Sequence, residues 1–134
     1  MPRRPVRVGR SAAGLGLFAV RPIARRGYIV TYRGKRIPTD EAHARERRNG
    51  AKFMFELNRR WTIDGSSWRN LARYVNHSCR PNAEAVLRDG RIVYVALKPI
   101  APGEEITVDY GDEYFELFIK PLGCRCAACA AKQR

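Results

Sequence analysis

The chain has 134 residues, enough for one hydrophobic core and one active unit but not for two ordinary domains. Its 26 Lys and Arg stand against 13 Asp and Glu, a formal charge of +13, which attracts polyanions and speaks to partners rather than to chemistry. No apolar run nears the roughly 20 residues of a membrane-spanning helix, and the basic start Met1 to Pro5 leads into no long apolar stretch. The expectation is a soluble, cytoplasmic protein without membrane contact, or one exported by a route that leaves no mark in the sequence.

In chain order, Val6 to Val8, Leu15 to Val20 and Tyr28 to Tyr32 are short apolar or β-branched runs between glycine-rich or basic turns, and are predicted as strands. The segment from Pro38-Thr39-Asp40 to Asn49-Gly50 has proline and a capping residue at its start, alanine and charges within, and Asn-Gly as its stop. It is predicted as a mostly polar helix. Phe53 to Leu57 and Trp61 to Asp64 are two further strands. Ala83 to Arg88 and Arg91 to Leu97 flank Asp89-Gly90, which is a hairpin signal. Ile106 to Asp109 forms a last strand after the Pro102-Gly103 turn. The fold class is therefore mainly β with one or two short helices.

Four cysteines occur, and three cluster near the end as Cys124, Cys126 and Cys129. That clustering points to a metal more than to disulfides. Arginines concentrate at Arg25-Arg26, Arg45 to Arg48 and Arg59-Arg60 without forming one tail. This is read first as a basic surface and second as a contact for nucleic acid.

Three constellations carry chemistry. Gly14-Leu15-Gly16 lets backbone amides and carbonyls approach a ligand, although glycines before a strand more often make a plain turn. Arg73-Tyr74-Val75-Asn76-His77-Ser78-Cys79 sets polar and reactive groups side by side between apolar runs. A thiol nucleophile at Cys79 with His77 is disfavoured, because neighbours two apart rarely meet in catalytic geometry. Gly103-Glu104-Glu105-Ile106-Thr107-Val108-Asp109-Tyr110 delivers a tyrosine where a strand ends, a place that a core residue could equally occupy.

Together and in this order the three segments resemble the SET domain, in which a GxG segment, an N-H-S-C segment and a terminal E-I-T-x-D-Y segment converge. Ile23, Gly27, Tyr32-Arg33-Gly34, Ile37 and Phe53-Met54-Phe55 extend the likeness, which runs from about Val8 to Cys129. The resemblance implies a β-clip of short curled sheets with knot-like threading of the C-terminal part, a SET domain over residues 1–116 and a post-SET segment over 117–134. It implies a protein-lysine N-methyltransferase using S-adenosylmethionine, of the minimal, free-standing kind found among bacterial relatives.

By the same resemblance, Gly14, Leu15, Gly16, Arg73, Asn76 and His77 hold the methyl donor and Tyr110 is the catalytic tyrosine. Tyr32, Phe53, Phe55 and Tyr114 line the lysine channel, and Cys79, Cys124, Cys126 and Cys129 bind structural zinc. The implied substrate is a lysine-containing basic protein or peptide, whether histone-like, ribosomal or from a host. Glu104, Glu105, Asp109, Asp112, Glu113 and Glu116 surround Tyr110 in sequence and could steer such a peptide. The chain departs from the family pattern at Phe53, where tyrosine is frequent, at Val108, where phenylalanine or tyrosine often limits methylation, and in a shortened C-x-C-x-x-C spacing. Competing readings are a non-catalytic, zinc-stabilised scaffold that binds nucleic acid and a disulfide-stabilised secreted factor.

Overall fold

The computed structural model describes residues 4–12, 14–49 and 53–110. Along them run β1 (Val6–Ser11), β2 (Gly14–Ala19), β3 (Tyr28–Tyr32), β4 (Lys35–Pro38), α1 (Thr39–Asn49), β5 (Met54–Glu56), β6 (Trp61–Asp64), a 3-10 helix (Leu71–Tyr74), β7 (Asn76–His77), β8 (Ala83–Arg88), β9 (Arg91–Ala96) and β10 (Glu105–Val108). They make three small sheets with strand orders β1-β2-β10-β7, β3-β9-β8 and β4-β6-β5. This is the mainly β class that the sequence predicts. The path beyond Tyr110, on which the knot-like threading depends, and the boundary at 116 lie outside the described residues.

Local chemistry explains several elements. Asp89 and Gly90 both have positive φ, 51° and 74°, and Arg88 pairs directly with Arg91, so the two-residue turn carries the backbone twist its flanking strands need. The first turn of α1 holds Asp40 and Glu41 and its last holds Arg47 and Arg48, charges that complement the helix dipole. Its one deeply buried apolar side chain is Ala42. Thr39 is buried as well, its hydroxyl 2.9 Å from that of Thr62 and its amide 2.9 Å from the Arg60 carbonyl. Arg45 bonds Glu41 at 2.6 Å and Asp64 at 3.2 Å, so α1 is tied to β6 by charge more than by apolar burial.

Leu17, Ile29, Val75, Val95, Ile100 and Ile106 are the most deeply buried large apolar side chains. Every residue of β9 from Ile92 to Ala96 is buried, because β9 is flanked by β3 and β8 and covered on both faces, so polar alternation disappears. The structure departs from the predicted elements in four places. Lys35–Pro38 and Asn76–His77 are strands too short to show a period, and Leu71–Tyr74 is a single 3-10 turn. Phe53, expected to open a strand, has φ 66° and precedes it. A phenylalanine in the left-handed region costs on the order of 1–2 kcal/mol. Two hydrogen bonds hold it there, since its carbonyl accepts from the Tyr32 hydroxyl at 2.7 Å and from the Gly65 amide at 2.8 Å.

Gly65 has a steric reason to be glycine, because an added Cβ would lie 2.4–2.5 Å from the Tyr32 ring. Gly65→Ala is therefore expected to destabilise the fold by about 1–3 kcal/mol through overpacking, read as a lowered urea midpoint. An unchanged midpoint would show that Tyr32 is not fixed against this loop.

Candidate active site

β10 sits between β2 and β7 and so unites segments far apart in sequence. Glu105 and Ile106 pair antiparallel with Phe18 and Leu17, while Thr107 and Val108 pair parallel with Asn76 and His77. A parallel pairing two residues long is weak alone. It is extended by the Ser78 amide bonding the Val108 carbonyl at 2.9 Å. It is also clamped by buried Asn82, whose Nδ2 donates to the Glu105 carbonyl at 2.8 Å and whose Oδ1 accepts from the Thr107 amide at 2.9 Å.

The hydrogen bonds of Asn76 can be counted. Its Nδ2 donates to the Leu15 carbonyl at 2.9 Å and to Glu105 Oε2 at 2.8 Å, which uses both amide hydrogens. Ser11 Oγ, 3.5 Å from that nitrogen, donates instead to Glu105 Oε1 at 2.9 Å. Asn76 thus offers a ligand its carboxamide oxygen, an acceptor. Alongside, Gly14 has φ 111° and Leu15 is 54% exposed, so the start of β2 presents an apolar side chain beside Asn76 while Gly16 is buried.

His77 Nδ1 accepts from the Tyr110 amide at 3.1 Å, which places the ring proton on Nε2, facing Cys79 Sγ at 3.5 Å. Asp109 Oδ1 lies 3.8 Å from Nδ1, but with Nδ1 already accepting, that pair is a neighbouring charge and not a hydrogen bond. Burial lowers the pKa of His77, and Asp109 opposes the shift without reversing it, so the imidazole is neutral at physiological pH. Tyr110 packs its ring on His77, centroids 5.4 Å apart, and its hydroxyl donates to the Val75 carbonyl. It is 36% exposed, so it is fixed at three points yet open on one face.

A second cluster is aromatic. Tyr32 is buried, edge-on to Phe55 at 5.2 Å and tilted to Tyr94 at 6.3 Å. The Arg73 guanidinium lies 4.5 Å over Phe53 and 5.3 Å over Tyr74, and its Nη1 bonds the Ser66 carbonyl. Its Nε is buried without a hydrogen-bond partner among the described residues. A buried donor left so costs about 1–3 kcal/mol, which marks a place for an incoming acceptor.

The expected residues therefore fall into two groups: Leu15, Asn76, His77, Cys79 and Tyr110 about β10, and Tyr32, Phe53, Phe55 and Arg73 about the 65–73 loop. Arg73, within the 3-10 turn Leu71–Tyr74, packs against the rings of Phe53 and Tyr74. Tyr114, Cys124, Cys126 and Cys129 lie outside the described residues. Cys79 is exposed, and among the described residues no group of three His, Cys, Asp or Glu side chains could hold a metal.

Sequence reasoning missed Ser11, Asn70, Asn82 and Tyr94, and misread Glu105 as a steering charge. Asn70 is 1% exposed; it accepts from the Arg33 amide at 2.9 Å and donates to the Gly65 carbonyl at 3.0 Å. The available signal was a polar residue standing next to an apolar run, which for Asn70 and Asn82 signified burial with bonded partners.

The chain matches the SET domain over residues 14–111. It is 36% identical over 136 residues to the Saccharomyces cerevisiae "Histone-lysine N-methyltransferase, H3 lysine-4 specific", covering 94% of this chain and 13% of that protein. It is 36% identical over 123 residues to the Drosophila melanogaster "Histone-lysine N-methyltransferase trr", covering 86% and 5%. It therefore spans a small part of these relatives' length. Among solved structures, the Chaetomium thermophilum polycomb repressive complex 2 superposes with a TM-score of 0.77 at 31% identity, covering 87% of this chain and 16% of that one. "ctPRC2 in an autoinhibited conformation bound to S-adenosylmethionine" does so with 0.70 at 32%, covering 83% and 16%. Sequence, strand pairing and likeness agree over the same residues, and the chain belongs to the SET-domain family.

Proposed function

We propose that the chain is a protein-lysine N-methyltransferase that transfers a methyl group from S-adenosylmethionine to the ε-amine of a lysine in a basic protein. The observation that carries this reading is the convergence, around β10, of the exposed start of β2 at Gly14 and Leu15, the acceptor oxygen of Asn76 and the pinned Tyr110. Two likenesses support it: relatives described as histone-lysine N-methyltransferases, and a structural relative bound to S-adenosylmethionine. Residues 1–116 would form the catalytic unit and 117–134 a cap behind it.

When bound, S-adenosylmethionine supplies an electrophilic methyl group on a sulfonium. Gly14, Leu15 and Gly16 with Asn76, His77 and Arg73 would hold it, and the residues fit: Asn76 presents an acceptor, the start of β2 is exposed at Gly14 and Leu15, and Arg73 Nε is a buried donor with no acceptor among the described residues. The Tyr110 hydroxyl and the Val75 carbonyl put two oxygens side by side, suited to aligning an amine, and alignment alone supplies much of such a rate enhancement. The amine must be neutral. Free lysine titrates near pH 10.4, and desolvation by an aromatic lining of Tyr32, Phe53, Phe55 and Tyr114 lowers that value.

The substrate class follows from the relatives and from charge. Exposed Glu104 and Asp109 flank β10, just before Tyr110, and attract a lysine-rich segment, a histone tail being the first to try. Glu105 drops out of this steering role because its carboxylate is bonded inside the sheet. Cys79, Cys124, Cys126 and Cys129 would bind one zinc ion; four thiolates complete a tetrahedral structural site. The support is the donor chemistry together with the exposed placement of Cys79 beside His77.

Three outcomes test these assignments. With a histone substrate and radiolabelled S-adenosylmethionine, Tyr110→Phe is expected to lower kcat by about 10²-fold with a far smaller change in donor affinity; retained turnover would remove Tyr110 from the chemistry. Val108 is buried on β10 opposite His77, and its small side chain leaves room for successive methyl groups. Mass spectrometry should then find di- or trimethyl-lysine from the parent chain and mainly monomethyl-lysine from Val108→Phe, and the reverse order would contradict the role. Elemental analysis of reduced protein should find one zinc per chain, with chelation weakening S-adenosylmethionine binding. A metal-free preparation that binds equally well would refute the zinc assignment.

A further inference from the structure

We propose that Glu105 is a positioning residue of the methyl-donor site: its carboxylate locks the Asn76 carboxamide in one orientation and sets the spacing of the glycine-bearing edge of β2. The inference rests on the S-adenosylmethionine reading above and adds a residue to it.

All four strands of the β1-β2-β10-β7 sheet meet at this one carboxylate. Glu105 opens β10 opposite Phe18 of β2. Its Oε1 accepts from Ser11 at the end of β1, at 2.9 Å, and its Oε2 from Asn76 at the start of β7, at 2.8 Å. Beneath it, a Cβ on Gly16 would lie 2.6 Å from Oε2 and 3.0 Å from Ser11 Cβ. A side chain at the second glycine of Gly14-Leu15-Gly16 would therefore displace the carboxylate from its bonds to Ser11 and Asn76.

The effect on Asn76 follows from counting donors. A carboxamide is nearly symmetric in shape and can exchange its oxygen and nitrogen by a half-turn. Here the nitrogen faces two acceptors, the Leu15 carbonyl and the Glu105 carboxylate. The flipped form would set oxygen against both, so it is excluded, and the charge-assisted bond from Glu105 is the stronger of the two constraints. The oxygen of Asn76 is then fixed in one orientation as an acceptor before any ligand arrives, which favours a ligand's cationic donor group over an anionic one. Removing Glu105 would leave the Leu15 carbonyl and the long contact to Ser11 Oγ as constraints.

The test compares Glu105→Ala and Glu105→Gln, each in the parent chain and in Asn76→Ala. The readouts are calorimetric affinity for S-adenosylmethionine, thermal melting, and the side-chain amide NMR signals of Asn76 in ligand-free protein. Glu105→Ala is expected to weaken binding about tenfold, the scale of one lost charge-assisted hydrogen bond. Glu105→Gln should stay within about threefold, because its carbonyl accepts from Asn76 and its amide donates to Ser11 Oγ. In Asn76→Ala, the further change Glu105→Ala should cost nothing, because two residues acting through one contact are not additive. The Asn76 amide signals should be sharp in the parent and Gln variants and broadened in the Ala variant. Parent-like affinity in Glu105→Ala, multiplying losses in the double variant, or a loss matching only the unfolded fraction would overturn the proposal. If the parent chain itself binds no S-adenosylmethionine, it is the donor reading that fails. The NMR signals then decide the positioning role alone, and sharp, unmoved Asn76 signals in Glu105→Ala would reject it.

Discussion

The parallel pairing of Asn76–His77 with Thr107–Val108 is the constraint on which the rest of the site depends. Two residues of parallel strand have little stability of their own, so the pairing survives because of what lies around it. Val75 is buried immediately before it, Ile106 and Leu17 are buried beside it, and Asn82 holds β10 at Glu105 and Thr107. Tyr110 inherits its place from this arrangement. Its amide reaches His77 and its hydroxyl Val75, so a shift of β7 by one residue would break both contacts and turn His77 to the opposite face.

The two halves of the site are built differently. Around β10, polar side chains each satisfy two partners, which fixes geometry because an unmade bond is costly once water is gone. Around Phe53, ring faces, a guanidinium and a strained backbone do the fixing. The first kind of construction suits a donor that must be held in one pose. The second suits a long alkylammonium, for which ring faces offer favourable contact without a demanded direction. Part of the basic excess lies on other elements. α1 carries Arg45, Arg47 and Arg48, and the β8–β9 turn is flanked by Arg88 and Arg91.

How much of this was legible in the sequence depends on whether the determining interaction was local. The Asp89-Gly90 hairpin was legible because its two positive φ angles are a demand that few residue pairs meet. α1 was legible from its proline, its charged ends and its Asn-Gly stop. β7 was not, since two polar residues carry no period, and its pairing is decided by a strand some thirty positions away. Phe53 was placed in a strand because its neighbours favour one, yet the Tyr32 hydroxyl and the Gly65 amide pull its carbonyl into the left-handed turn. Glu105 was read as one of a run of surface acids, because nothing in its neighbourhood reveals Ser11 and Asn76 closing on it. Asn76, His77 and Tyr110 were proposed as a set through family resemblance, while the stack of Arg73 on Phe53 and Tyr74 had no local signal.

The most direct measurement is a two-dimensional amide NMR titration of the labelled chain with S-adenosylmethionine. The expected shifts concentrate at Leu15, Gly16, Asn76, His77 and Tyr110, the groups that β10 draws together. Shifts confined to α1 or the β8–β9 hairpin, or none at saturating donor, would contradict a methyl-donor site on β10.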